Sequence, residues 1–124
     1  MMAIRLEFPF KLISKDNEKL QNRQGRYFLS AKYKAFSEKV RLFALSQYRG
    51  KPIEGDISIH IIAGFGDKRH CDCGNLPKGL LDSLQNILYL NDRQIKKLEC
   101  IVLDNEPRDS FIVMIEEIKE SPNA

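Results

Sequence analysis

Between residues 67 and 95 the chain reads DKRHCDCGNLPKGLLDSLQNILYLNDRQI. Asp72, Asp82 and Asp92 bring carboxylates to this short stretch, with Lys78 and Asn75 between them. Carboxylate oxygens are hard donors that suit Mg²⁺, which takes one or two protein carboxylates and fills its other positions with water and phosphate. An ammonium and an amide suit phosphoryl oxygens. The chemistry such a set would support is metal-assisted attack on a phosphodiester.

A helix would position the set. Leu76, Leu80, Leu84 and Leu88 recur every four residues with Leu81 beside them, which predicts an apolar stripe over about 75–88. Asn75 is the expected N-cap, and Pro77 fits the first turn, where a missing N–H costs little. Asn75, Lys78 and Asp82, three and four apart, fall on the opposite face. Asp72 precedes the helix, near the positive end of its dipole, where a phosphate is also favoured. A straight helix of that length would hold Asp72 and Asp92 about 20 Å apart. Either the helix ends early, near Gln85, and residues 86–91 run back, or a twofold dimer brings Asp92 of one subunit to Asp72 of the other. Surplus leucines on the helix would then supply part of the interface.

The surrounding chain reads as strands and one further helix. Ile4, Leu6 and Phe8 alternate with Arg5 and Glu7, predicting a half-buried strand over 3–8. Residues 10–25 read as a long polar loop carrying Arg23 and Arg26, candidate phosphate contacts. Tyr27 to Leu29 suits a short strand, and Ser30 an N-cap for a helix to about Tyr48, with Tyr33, Phe36, Val40, Phe43, Ala44 and Tyr48 inward. Gly50 and Pro52 stop it. Residues 56–65 form the cleanest strand, with Ile57, Ile59, Ile61, Ala63 and Phe65 on one face and His60 on the other. The turn after it presents Lys68 and Arg69 beside Asp72, again as phosphate contacts. Residues 93–103 and 110–118 read as strands joined by the turn 104–109, hence as an antiparallel pair. The expected architecture is α+β: one small domain over residues 1–120, a mixed sheet with two helices on one side, and a disordered tail at 121–124.

The central stretch resembles the signature of the RusA-type Holliday junction resolvases: D-x-D-N-x-x-K, a leucine-rich helix bearing an Asp, then D-D-x-Q-[VI]. Those positions read Asp72, Cys73, Gly74, Asn75, Lys78, Asp82, Asn91, Asp92, Gln94 and Ile95, with no gap. Looser similarity runs from about Ile4 to Ile118. The resemblance implies a small homodimeric endonuclease that cuts four-way DNA junctions symmetrically with Mg²⁺. Asp72 and Asp92 would be its metal-binding acids and Lys78 its catalytic lysine; Arg23, Arg26, Lys68, Arg69 and Asn75 would contact DNA. The chain departs from the pattern at two positions. The second acid is Gly74, which offers no ligand, and the first acid of the later pair is Asn91. A second reading follows from Gly74: a protein of the same fold that binds branched DNA with impaired cutting.

Composition sets the frame. The chain has 124 residues, 43% hydrophobic and 30% charged, which suits one folded domain. No apolar run approaches the length that spans a bilayer, and the start lacks the zones of a secretory signal, so a cytoplasmic protein is expected. Net charge is only +3. Yet residues 23–51 hold eight Lys or Arg against one acid, Glu38, an asymmetry that suits a polyanionic partner. Three cysteines, Cys71, Cys73 and Cys100, make no disulfide framework. His70, Cys71 and Cys73 are possible zinc ligands, but C-x-C is not the usual C-x-x-C spacing, and reduced cysteines beside a loop are the expectation.

Overall fold

The computed structural model describes residues 3–15, 19–68 and 73–119. The elements follow in the order β1 (Ala3–Phe8), β2 (Lys19–Gln21), β3 (Tyr27–Leu29), α1 (Ala31–Gln47), β4 (Ile57–Gly64), α2 (Pro77–Leu84), β5 (Ile95–Leu103) and β6 (Ser110–Glu117). A single 3-10 turn, Asp92–Gln94, leads into β5.

Four strands make one mixed sheet in the order β1-β6-β4-β5. β6 runs antiparallel to both β1 and β4, whereas β5 is parallel to β4. A parallel neighbour cannot be reached by a tight turn, and α2 supplies the crossover. The expected β5–β6 hairpin is therefore not formed. β4, the most apolar strand, takes the place between them, where both its edges are paired. The 104–109 turn carries the chain past the end of β4 instead, stitched to it by Glu106 N–H to Phe65 O at 2.9 Å and Gly66 N–H to Asp109 Oδ1 at 2.8 Å.

The alternation read from the sequence decides which face is covered. Ile4, Leu6 and Phe8 of β1, Ile57, Ile59, Ile61 and Ala63 of β4, and Phe111, Val113 and Ile115 of β6 are buried. They meet Tyr33, Phe36, Val40 and Ala44 of α1 and Leu80 and Leu84 of α2 in one core. Phe65 is buried in the same core. Ser30 caps α1 as expected, its Oγ accepting from Tyr33 N–H at 3.0 Å.

Among the described residues the opposite face carries no helix. There Ile62, Ile101 and Ile112 lie in one cross-strand row, with Leu103 beside it, and Ile101 and Leu103 stay 43% and 41% exposed. His60 lies on this face, its Nδ1 3.4 Å from Glu99 Oε1, as a strand residue away from α2.

Part of the predicted loop at 10–25 is ordered differently from the expectation. β2 pairs antiparallel with β3, and the connection is an Asx turn: Asn22 Oδ1 accepts from Gln24 N–H and Arg26 N–H, and Gly25 takes φ 81. Residues 121–124, the expected tail, lie outside the described residues.

Candidate active site

α2 is shorter than its leucine stripe. It begins at Pro77 in the first turn, with Leu76 at the cap position and no side-chain cap bond, so Asn75 is not the N-cap. Asn75 is exposed, and its backbone carbonyl accepts from Ser14 Oγ at 3.2 Å. Serine from the segment after β1 thus meets a carbonyl that a cap would have left to solvent. Leu76, Leu80, Leu84 and Leu88 are all fully buried in their own protomer, so the stripe is core and cannot double as an interface.

The helix ends at Leu84 for three local reasons. Asn86 takes φ 72, a left-handed conformation that asparagine tolerates and that ends helices. Arg41 of α1 donates from one guanidinium nitrogen to Ser83 O at 2.9 Å and Gln85 O at 3.3 Å, satisfying carbonyls at the helix end. Asn86 N–H then turns back onto Tyr89 O at 2.6 Å. The early helix end expected near Gln85 is present. The eight residues of α2 span only about 12 Å.

Beyond the helix the chain returns alongside it. The buried Tyr89 hydroxyl donates to Leu81 O, in the middle of α2. Burial, then the negative charge of Asp92, then that of Asp82 push the Tyr89 phenol well above its ordinary value near 10. Both carboxylates therefore lie within electrostatic reach of one phenol. Asp82 also pairs with Lys15 at 2.7 Å, fixing the segment after β1 to α2. Gly79 permits that approach: a Cβ there would sit 2.7 Å from the Tyr33 ring and 2.9 Å from Lys15 Cβ.

Asp92 opens the 3-10 turn and is exposed. Asn91, which stands where the resolvase pattern has an acid, serves as its N-cap: the Asn91 side chain accepts from Arg93 N–H at 2.9 Å. Asparagine fills this position as well as aspartate does. Lys78 is exposed on the first turn of α2, and Lys68 is exposed after β4. Arg23 and Arg26 are exposed on the β2–β3 turn. Asp72 and Arg69 lie outside the described residues, as do His70 and Cys71 of the zinc alternative. Cys73 is exposed, its thiol donating to Cys100 O at 2.8 Å. Gly74 is exposed too, and a Cβ there would meet nothing within 4 Å.

The chain matches the family model of endodeoxyribonuclease RusA over residues 9–116. It belongs to the RusA family. No curated protein matches it. The match spans every strand from β2 to β5, both helices and nearly all of β6, so the family frame holds the whole site. RusA nucleases depend on a divalent metal. Among the described residues no group of three or more His, Cys, Asp or Glu is gathered as a metal site. The described part does fit the requirement of a hydrated hard cation: Asp92 offers an exposed oxygen donor on an ordered turn.

The sequence reading gave no structural role to Arg41, Tyr89 or Lys15, and quoted Gln94 as a motif position without giving it one. Arg41 stood among eight basic residues and gave no separate signal. Asn86 did give one, since asparagine just past a helical run marks a left-handed stop.

Proposed function

We propose that this RusA-family chain is a Mg²⁺-dependent endonuclease that resolves four-way DNA junctions by paired phosphodiester hydrolysis. The observation that carries the reading is the family match over residues 9–116, within which the chain returns along α2 just ahead of Asp92, tied by the Tyr89 hydroxyl to Leu81 O. In this reading Asp72 and Asp92 hold the cation. Bound there, Mg²⁺ would polarise the phosphate and acidify a water. Lys78 stabilises the charge that develops on the phosphoryl or leaving oxygen. Arg23, Arg26, Lys68, Arg69 and Asn75 contact the DNA backbone and set register without reading sequence.

A four-way junction has near twofold symmetry and needs two matched cuts, which suits an isologous homodimer. With the α2 leucines consumed by the core, the row Ile62, Ile101 and Ile112 with Leu103 is the apolar surface that a second copy would cover. It is bordered by charges of both signs, Arg5 and Glu7 on one side and Glu99 on the other, as self-pairing about a twofold axis requires. Sedimentation should show a dimer at micromolar concentration and a monomer for Ile101→Arg. A wild-type monomer would sink this arrangement.

A second reading rests on Gly74, whose missing carboxylate leaves fewer ligands: the chain binds junctions and does not cut them. Incubating a synthetic four-way junction with Mg²⁺ or Mn²⁺ separates the two. Symmetric nicks that vanish in Asp72→Asn, with binding retained, support the nuclease. Binding without product in either metal selects the second reading.

A further inference from the structure

Gln94 is a buried polar side chain to which the proposed chemistry gives no part. A primary amide has two donor hydrogens and an oxygen with two lone pairs. In Gln94 all four are used. Nε2 donates to Ile53 O at 2.6 Å and to Gly55 O at 2.8 Å. Oε1 accepts from Leu90 N–H and from Asn91 N–H, each at 2.8 Å.

The four partners are backbone groups of two separate segments. One is the stretch before β4; the other is the pair of residues just ahead of Asp92. A further tie, Ile53 N–H to Leu88 O at 2.9 Å, holds the same two segments together. On the near side of Asp92, Asn91 closes a reciprocal capping box with Gln94. On the far side, Ile95 N–H donates to Asp92 O. The backbone on both sides of Asp92 is thus fixed to the sheet, while its carboxylate stays exposed.

No other side chain of this length reproduces the pattern. Glutamate would aim a carboxylate oxygen at two carbonyls. Methionine would leave two amides and two carbonyls without this partner, at the greatest cost for the buried Ile53 carbonyl and at less for the three part-buried groups.

We propose that Gln94 is the positioning residue for Asp92: by clamping both segments it sets the place of the carboxylate and so the affinity of the site for its cation. This rests on Asp92 being a metal ligand. Supporting shells of this kind are worth about 10- to 100-fold in metal affinity or activity.

The test uses the full chain with Mn²⁺ as probe. Free Mn²⁺ is followed by electron paramagnetic resonance without DNA, and junction cleavage is followed against Mn²⁺ concentration. In Gln94→Met the half-saturating Mn²⁺ should rise about 10-fold or more in both measurements. Junction affinity in Ca²⁺ should stay within about twofold of wild type, because the clamp touches no proposed DNA contact. Gln94→Glu should do at least as much harm. If the Gln94 variants do not fold by circular dichroism, Asn91→Ala weakens the clamp from the other side and should raise half-saturating Mn²⁺ several-fold. Asn91→Ser, which keeps a cap, should restore it.

A Gln94→Met protein that melts lower but binds Mn²⁺ like wild type has lost only stability, and the inference is overturned. Asp92→Asn tests the underlying reading separately. Unchanged Mn²⁺ binding and cutting in that variant, or no Mn²⁺ bound by wild type, removes Asp92 as a ligand and the positioning role with it.

Discussion

The two ends of α2 are built in opposite ways. At its entry Cys73, Gly74 and Asn75 are exposed, the cap position makes no side-chain bond, and among the described residues no atom would lie within 4 Å of a Cβ at Gly74. At its exit Arg41 holds two carbonyls, Asn86 reverses the chain, Tyr89 ties the return to Leu81, and Gln94 makes four hydrogen bonds. An uncapped helix start keeps N–H groups directed outward, where a phosphate is attracted. A fixed exit places a carboxylate without a long side chain having to find it. Under the proposed function, the contrast would give substrate access to one end and ligand placement to the other.

The largest effect should come from removing the carboxylate at the fixed end. Asp92→Asn should lower junction cleavage at saturating Mg²⁺ by about 100-fold or more, beyond the cost of losing a mere supporting group. Junction affinity in Ca²⁺ should hold. Cleavage within about threefold of wild type would break the comparison, because the ordered exit would then place nothing. The open end offers the opposite experiment. A Cβ at Gly74 meets no atom, so Gly74→Asp adds an acid without displacing a neighbour. It should raise cleavage about tenfold at limiting Mg²⁺, with an unchanged melting temperature. No gain would mean that an acid at this position does not reach the cation.

Much of this frame was legible beforehand. Ile4, Leu6 and Phe8, and Ile57, Ile59, Ile61, Ala63 and Phe65, recur at every second position, and each of them turned inward, whereas Ile62 faces the other side of the sheet. Ser30 announced the start of α1. The motif positions from Asp72 to Ile95 identified the family. What failed did so for tertiary reasons. The α2 leucine repeat continues to Leu88, but burial, not helix, explains its last member, because Ile87 and Leu88 fold back into the core after the helix has stopped. The short 104–109 turn suggested a hairpin, yet the slot beside β5 had already gone to β4, from which α2 crosses over. Asn86 marks the helix stop locally, but Arg41, which holds the helix end, lies more than forty positions away, and the strand order is decided by β4.

A smaller test probes the exit through Tyr89. Its phenol is pushed above the ordinary value by burial first and by Asp92 and Asp82 next, so the folded chain keeps the proton while the unfolded chain releases it near pH 10. The contribution to stability is intact below pH 10 and is lost as pH rises above it. The loss approaches about 1.4 kcal/mol per pH unit at most. Tyr89→Phe should flatten the stability profile above pH 10 in urea titrations, and at neutral pH should cost about 1 kcal/mol for the bond to Leu81. An unchanged alkaline profile would mean that the phenol is neither buried nor close enough to the two acids to hold its proton.

The smallest effect concerns Arg41. Its guanidinium meets the last carbonyls of α2, where the dipole is negative, but the residue is otherwise exposed and water can replace much of what it gives. Arg41→Ala should therefore cost only about 0.5–1 kcal/mol in urea unfolding. Charge alone does not account for the contact, since both bonds leave one nitrogen and reach two carbonyls. Arg41→Lys should recover part of the loss through the dipole and little of the geometry. Because the helix end starts the eight-residue path to Asp92, Arg41→Ala should also raise half-saturating Mg²⁺ by about twofold. Loss of stability with no change in metal requirement would show that Gln94 and Tyr89 hold the exit without help from α1.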